Sequence, residues 1–222
     1  WESDLTFSFV RSKVLDLGSS CEQIYDKSDE RGQYEIFTTK YSINRTVVDE
    51  APGKFWGYEY LGVAKTQSEA DAYNERTGKN IGVGDMMLSD EQTWIGDPNP
   101  AFTAGWSNSF TIGQWTLNCQ FNATVGNDVY NLVRMKLENN AGDAKWWNQS
   151  ADVLNYTKVE GTGADMHVVN ESSIPVPSAT DKDQKAISDR YVENGSFLRL
   201  QNVGVTYKFR PEANKKLHIE GL

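Results

Sequence analysis

At 222 residues and a formal net charge of −9, the chain is long enough for one or two domains; its acidity, with no basic stripe, argues against nucleic-acid binding. No apolar run of about 18 residues occurs, which excludes a membrane-spanning helix. A mean hydropathy of −0.60 leaves a membrane-spanning barrel open, because alternation dilutes its apolar signal.

The first element in chain order is the run 3–15, SDLTFSFVRSKVL, which predicts a strand with Leu5, Phe7 and Phe9 on one face. Residues 16–33 read as polar loop with a charged cluster at Asp26–Arg31, and 34–48 has strand-like composition without clean alternation. A Gly- and aromatic-rich block follows, PGKFWGYEYLGV at 52–63. The stretch 66–76, TQSEADAYNER, predicts a helix, with Ser68 and Asp71 spaced as a capping box. Residues 78–100 are expected to be loop, closing on IGDPNP.

The strongest periodicity lies in AFTAGWSNSFTIGQWTLNCQFNATVG, residues 101–126. Phe102, Ala104, Trp106, Phe110 and Ile112 share one face of the first arm, broken by Asn108. Trp115, Leu117, Cys119, Phe121, Ala123 and Val125 share one face of the second. Gly113-Gln114 is left for a two-residue turn. After the break at Gly126-Asn127-Asp128, residues 129–139 fit a short helix or a continuing strand, and 143–180 carries no regular pattern. Residues 196–209 read as a strand with Val203, Val205, Tyr207 and Phe209 on one face; Arg210-Pro211-Glu212 ends it and Lys215 begins another. Cys119 on an apolar face and Cys21 in a loop are expected to stay unpaired. The N-x-S/T sequons, one of them at Asn122 inside a strand, fit chance in an Asn-rich chain better than glycosylation.

Two properties of the hairpin bear on fold class. Its arms exceed the five or six residues of an ordinary strand and match the roughly nine to eleven of a membrane-crossing one. Its second face carries Thr, Ser, Asn, Gln and Gly instead of Lys and Glu, as a barrel lumen would, and Trp106, Phe110, Trp115 and Phe121 suit interface girdles. With a tight turn at Gly113-Gln114, the connections 16–100 and 127–195 fall on one side and the short turns on the other, the layout of an outer-membrane barrel. A long hairpin in a soluble β-sandwich, lectin-like and binding glycans through its aromatics, remains the alternative. A secreted β-rich hydrolase is the third reading.

Four blocks, PGKFWGYEYLGVAKTQSEADAY, IGDPNPAFTAGWSNSF, GNDVYN and SDRYVENGSFLRLQNVGVTYKF, resemble in that order the C-terminal barrel of SusC-like TonB-dependent transporters of Bacteroidetes, over roughly residues 1–18 and 52–222. The resemblance implies an all-β, transmembrane antiparallel barrel of 22 strands with long extracellular loops, of which residues 1–222 are a fragment without the plug or the last strands. It implies no enzyme and no cofactor, but outer-membrane import of oligosaccharide or peptide, powered by TonB and loaded through a SusD-like surface lipoprotein. The implied surroundings are outer-membrane lipid, and transporter–lipoprotein pairs that allow a dimer. Where the family carries an acidic D-x-N-x-D-G-like segment this chain has MMLSDEQTW; no metal site is assigned, and Asp90-Glu91 reads as solvated loop charge.

For catalysis the chain offers little. His167 and His218 have no Ser or Cys partner in a recognisable motif, and no carboxylate pair stands out from the surface charge. Candidate substrate contacts are Trp56, Tyr58 and Tyr60, which alternate with Gly57 and Glu59 as a ribbon lining a vestibule would. Asp128 and Arg134 are candidates for the substrate path; packing of a long loop is the competing reading for the aromatics, and local pairing for these two. Trp146-Trp147 has the same ambiguity.

Overall fold

The computed structural model describes residues 1–16, 43–142, 148–179 and 183–209. The expectations for Cys21, the 34–42 run, Trp146-Trp147, the 210–212 turn, Lys215 and His218 lie outside the described residues. In chain order the regular elements begin with β1 (Glu2–Ser8), β2 (Asn44–Arg45), β3 (Lys54–Val63), α1 (Gln67–Thr77) and β4 (Met86–Gly96). They continue with β5 (Phe102–Ile112), β6 (Trp115–Val125), β7 (Asp128–Tyr130) and α2 (Leu132–Leu137). The last are β8 (Lys158–Glu160), β9 (His167–Asn170), β10 (Val192–Asn194) and β11 (Phe197–Tyr207). Strands dominate, and no helix among the described residues is long and apolar enough to cross a membrane.

The chain forms two units. The first, built among the described residues from 1–12, 99–128 and 194–209, contains a four-stranded antiparallel sheet in the order β1-β5-β6-β11. Its hairpin matches the periodicity residue for residue: Phe102 faces Val125, Ile112 faces Trp115, and Gly113 turns the chain at φ 61°. That angle is open to Gly and strained for other residues. Residues paired across an antiparallel ladder share a face, so Leu5 opposite Trp106, Phe110 opposite Leu117 and Val205 opposite Leu117 make one apolar surface. That surface is not covered among the described residues: Leu5 is 60% exposed and Val205 64%. Asn108, the one break in its pattern, is buried and accepts a hydrogen bond from Trp1 Nε1 at 3.3 Å, while the Trp1 ring stacks on Phe110 at 6.2 Å. The opposite face bears Glu2, Asp4, Ser107, Ser109, Asn118, Gln120 and Asn202 around a concavity of about 260 Å³.

β11 contains a bulge between Leu200 and Asn202. It lets Leu198 and Leu200 lie on the same face as Val203, Val205 and Tyr207 despite an extra residue, Gln201, in the sequence between them. The strand directions agree with the arithmetic above: Tyr207 ends beside the hairpin turn, its hydroxyl 2.6 Å from Gln114 Oε1. Both long connections leave from the other end of the sheet. β1 and β11 each pair along one edge only among the described residues, so this sheet is open.

Residues 13–98 and 129–193 make the second unit. Here β2, β3 and β4 form an antiparallel sheet. α1 buries Ala70 and Tyr73 among Ala64, Ile81 and Met87, and the Tyr73 hydroxyl both accepts from Leu88 N at 3.2 Å and donates to Leu88 O at 3.1 Å. Four expectations are corrected. β1 stops at Ser8 instead of reaching 15, because the ladder with β5 runs out at Thr103. The 78–100 stretch is not all loop: Met86–Gly96 is β4, whose pairing with β3 shifts register three times, so no clean alternation survives in its sequence. The α1 cap is Thr66, accepting from Glu69 N at 3.2 Å, not Ser68 with Asp71; Asp71 instead accepts from Gln67 Nε2 at 2.8 Å. Within 143–180, β8 and β9 form a short hairpin, too brief to leave a periodic trace.

Candidate functional site

β3 presents Trp56, Tyr58 and Tyr60 half-buried, and each is held by named partners. Trp56 donates from Nε1 to Gln92 Oε1 at 3.1 Å and meets Trp94 edge-on at 4.9 Å, while the Arg45 guanidinium covers its face at 4.1 Å. Lys54 Nζ stands 4.9 Å from the Trp94 ring centre, so both indoles are cation-capped. Tyr58 donates its backbone N–H to Ile187 O at 2.8 Å and carries Lys79 Nζ 5.7 Å above its ring. Lys79 also pairs with Asp183 at 2.7 Å; burial opposes its charge, but Asp183 and Tyr73 together outweigh that and raise its pKa. Tyr60 donates its N–H to Asp189 Oδ1 at 2.7 Å and its hydroxyl to Ser173 O at 3.3 Å, with the Arg190 guanidinium 5.8 Å from the ring. Burial raises the Tyr60 pKa, partly opposed by Arg190. Gly57 is required by close approach: a Cβ there would lie 2.5 Å from Ile187 O.

Of the other two candidates, Asp128 is half-buried in β7 and belongs to the first unit. Arg134 lies in α2 and is engaged locally: Nε donates to Glu138 Oε1 at 2.7 Å, and Nη1 reaches Glu193 Oε1 at 3.4 Å and Arg190 O at 3.2 Å. Its pKa is raised by the two carboxylates although burial works against it. Glu138 completes a buried network, its Oε2 accepting from Arg190 Nη2 at 3.1 Å, while Arg190 Nη1 donates to the Tyr191 hydroxyl at 2.7 Å. Trp94, Arg45, Glu138 and Arg190 escaped the sequence reading. Trp94 sits in the segment expected to be loop, and buried charges give no periodic signal. Asp90, expected to be solvated loop charge, stands on β4 facing Arg76 at 3.5 Å. His167 is exposed on β9 with Nδ1 2.8 Å from Asp165 O. Among the described residues no three His, Cys, Asp or Glu side chains cluster to hold a metal.

No family model matches the chain. It is 31% identical to TonB-dependent receptor P3 of Formosa agariphila over 96% of its length, and 28% identical to TonB-dependent receptor P26 of the same organism over 93%. The chain spans a fifth of each: 20% of both relatives. In fold it resembles the RagAB peptide importer in its open-open state, with a TM-score of 0.60 and 19% identity over 96% of this chain and 20% of that one. The RagAB peptide transporter gives 0.54, with 20% identity over 80% of this chain and 18% of that one. The resemblance to TonB-dependent transporters of Bacteroidetes, carried in the sequence by four ordered blocks, is thus borne out by receptors aligned along nearly the whole chain. None of these proteins is named as an enzyme.

Proposed function

We propose that the chain is part of the C-terminal barrel wall, with attached extracellular loops, of a TonB-dependent outer-membrane importer of the SusC-like kind. The observation that carries this reading is the four-stranded sheet with one apolar face exposed along its length and, behind it, a polar face whose β5–β6 hairpin carries no charge. A soluble sheet of this size would bury that apolar surface, whereas lipid satisfies it and a lumen accepts the other side. Closure into 22 strands, a plug, energy from TonB and a SusD-like lipoprotein lid follow from the family resemblance. The open edges of β1 and β11 suit a wall continued by further strands.

The cargo is a peptide or an oligosaccharide, and the peptide importers among the similar folds favour the peptide. No chemistry is asked of the site: a carrier binds and releases, so aromatic and polar contacts suffice and neither nucleophile nor metal is needed. Trp56, Tyr58 and Tyr60 are assigned to cargo contact, and Asp128 and Arg134 to the walls of its path.

Replacing Trp56 and Tyr58 together by Ala in the full-length protein tests this. Two aromatic contacts at about 0.5–1.5 kcal/mol each predict roughly tenfold weaker uptake of a tryptic casein digest or of glucan oligosaccharides, with unchanged barrel assembly. Co-purification of the lipoprotein separates loss of cargo from loss of the lid. Normal import by the double variant would remove these residues as a site and return them to loop packing.

A further inference from the structure

β3 is poorly fixed by its own sheet where the tyrosines stand. Its pairing with β4 shifts register both before and after Tyr60, and β2 reaches only Phe55 and Lys54 on the other edge. Beyond Trp56, whose backbone N–H goes to Ile43 O, that edge is occupied by the 183–193 segment: Ile187 O accepts from Tyr58 N, Ser188 forms a parallel bridge with Tyr58, and Asp189 Oδ1 accepts from Tyr60 N. The placement of both tyrosines therefore depends on what holds that segment. Its holds include the half-buried Lys79–Asp183 pair at one end, the Tyr130 hydroxyl on Ser188 N in the middle, and at the other end Arg190, whose side chain is 2% exposed. The counter-charge for Arg190 is Glu138 at the end of α2, itself 8% exposed and shared with Arg134 through its second oxygen. A guanidinium so buried is costly without a partner, and a carboxylate with one oxygen on each of two guanidiniums fixes direction as well as distance.

We infer that Glu138 is a positioning residue: acting through Arg190, it sets where Tyr58 and Tyr60 stand, and so how well the mouth fits its cargo. This rests on the reading of β3 as the cargo-contacting ribbon. Glu138 itself is out of a ligand's reach, so its effect on binding passes through the tyrosines and vanishes when they are removed.

The test uses the full-length protein in detergent with Glu138→Gln, Tyr60→Ala and the double variant. The probes are a tryptic casein digest and a glucan oligosaccharide mixture, with retained ligand measured by mass spectrometry and backbone exchange by deuterium labelling. Expected are about tenfold losses of retained ligand in each single variant. The double variant should be no worse than Tyr60→Ala alone, and Glu138→Gln should exchange faster at the Tyr58 and Tyr60 amides while the β5–β6 hairpin is unchanged. If Tyr60→Ala retains ligand normally, or the unmodified protein retains neither probe, the cargo reading of β3 fails and takes the inference with it. If Tyr60→Ala loses ligand while Glu138→Gln does not, or the two losses multiply, the inference alone is overturned. Should Glu138→Gln fail to assemble, Arg190→Lys, which keeps the charge and loses the fork, is read by the same outcomes.

Discussion

Tyr60, Tyr130 and Tyr191 show how the second unit uses polar groups inside its packing. Tyr191 is fully buried, its hydroxyl donating to Gln184 O at 3.0 Å, and Tyr130 accepts from Ser188 N at 3.3 Å while its ring meets Phe55 edge-on at 6.0 Å. Burial is the leading cause that raises all three phenol pKa values, since a phenolate loses its hydration there. The folded state therefore keeps these protons to a higher pH than the unfolded chain, whose tyrosines ionise near about 10. Their contribution to stability is intact below that pH and is lost as pH climbs through the raised values. Spectrophotometric titration should show a late tyrosinate component that shrinks with each Tyr→Phe change at 60, 130 and 191. Ionisation of all three together with the exposed tyrosines would contradict this burial.

Among the elements, β11 makes the sharpest prediction. Gln201 is the extra residue of its bulge, so deleting it leaves Leu198, Leu200, Val203 and Val205 in unbroken alternation on the apolar face. That deletion should assemble normally in a heat-modifiability assay. Deleting Asn118 from β6, where no bulge absorbs the change, throws Trp115 and Leu117 onto the polar face and should abolish assembly. Equal behaviour of the two deletions would contradict the register. The same logic explains what could be read beforehand. β5 and β6 are legible to their last residue because a two-residue period, broken only at Asn108, survives where the two faces of a strand meet different surroundings. β4 was illegible because three register shifts against β3 break that period. At the site, the aromatics of β3 announced themselves by type and spacing. Glu138 and Arg190 did not, because a buried ion pair joining residues 52 positions apart leaves no local mark.

At the largest scale, the described residues of the first unit form a sheet in which only Asn108 is buried, and the second unit carries the buried clusters. That division matches a barrel segment whose solvent on one side is lipid. It also matches loops that must fold on their own packing, through Tyr73, Leu88, Met135 and the Glu138 network. On the transporter reading the face bearing Leu117 and Phe121 meets lipid, and substitution on the two faces of β6 is the direct test. Arg at Leu117 or Phe121 in the full-length protein should cost about 2–4 kcal/mol near the bilayer midplane and sharply lower the heat-resistant, assembled fraction. Arg at Asn118 or Gln120, one residue away on the opposite face, should leave that fraction near its original level. Equal tolerance on both faces would contradict the membrane assignment.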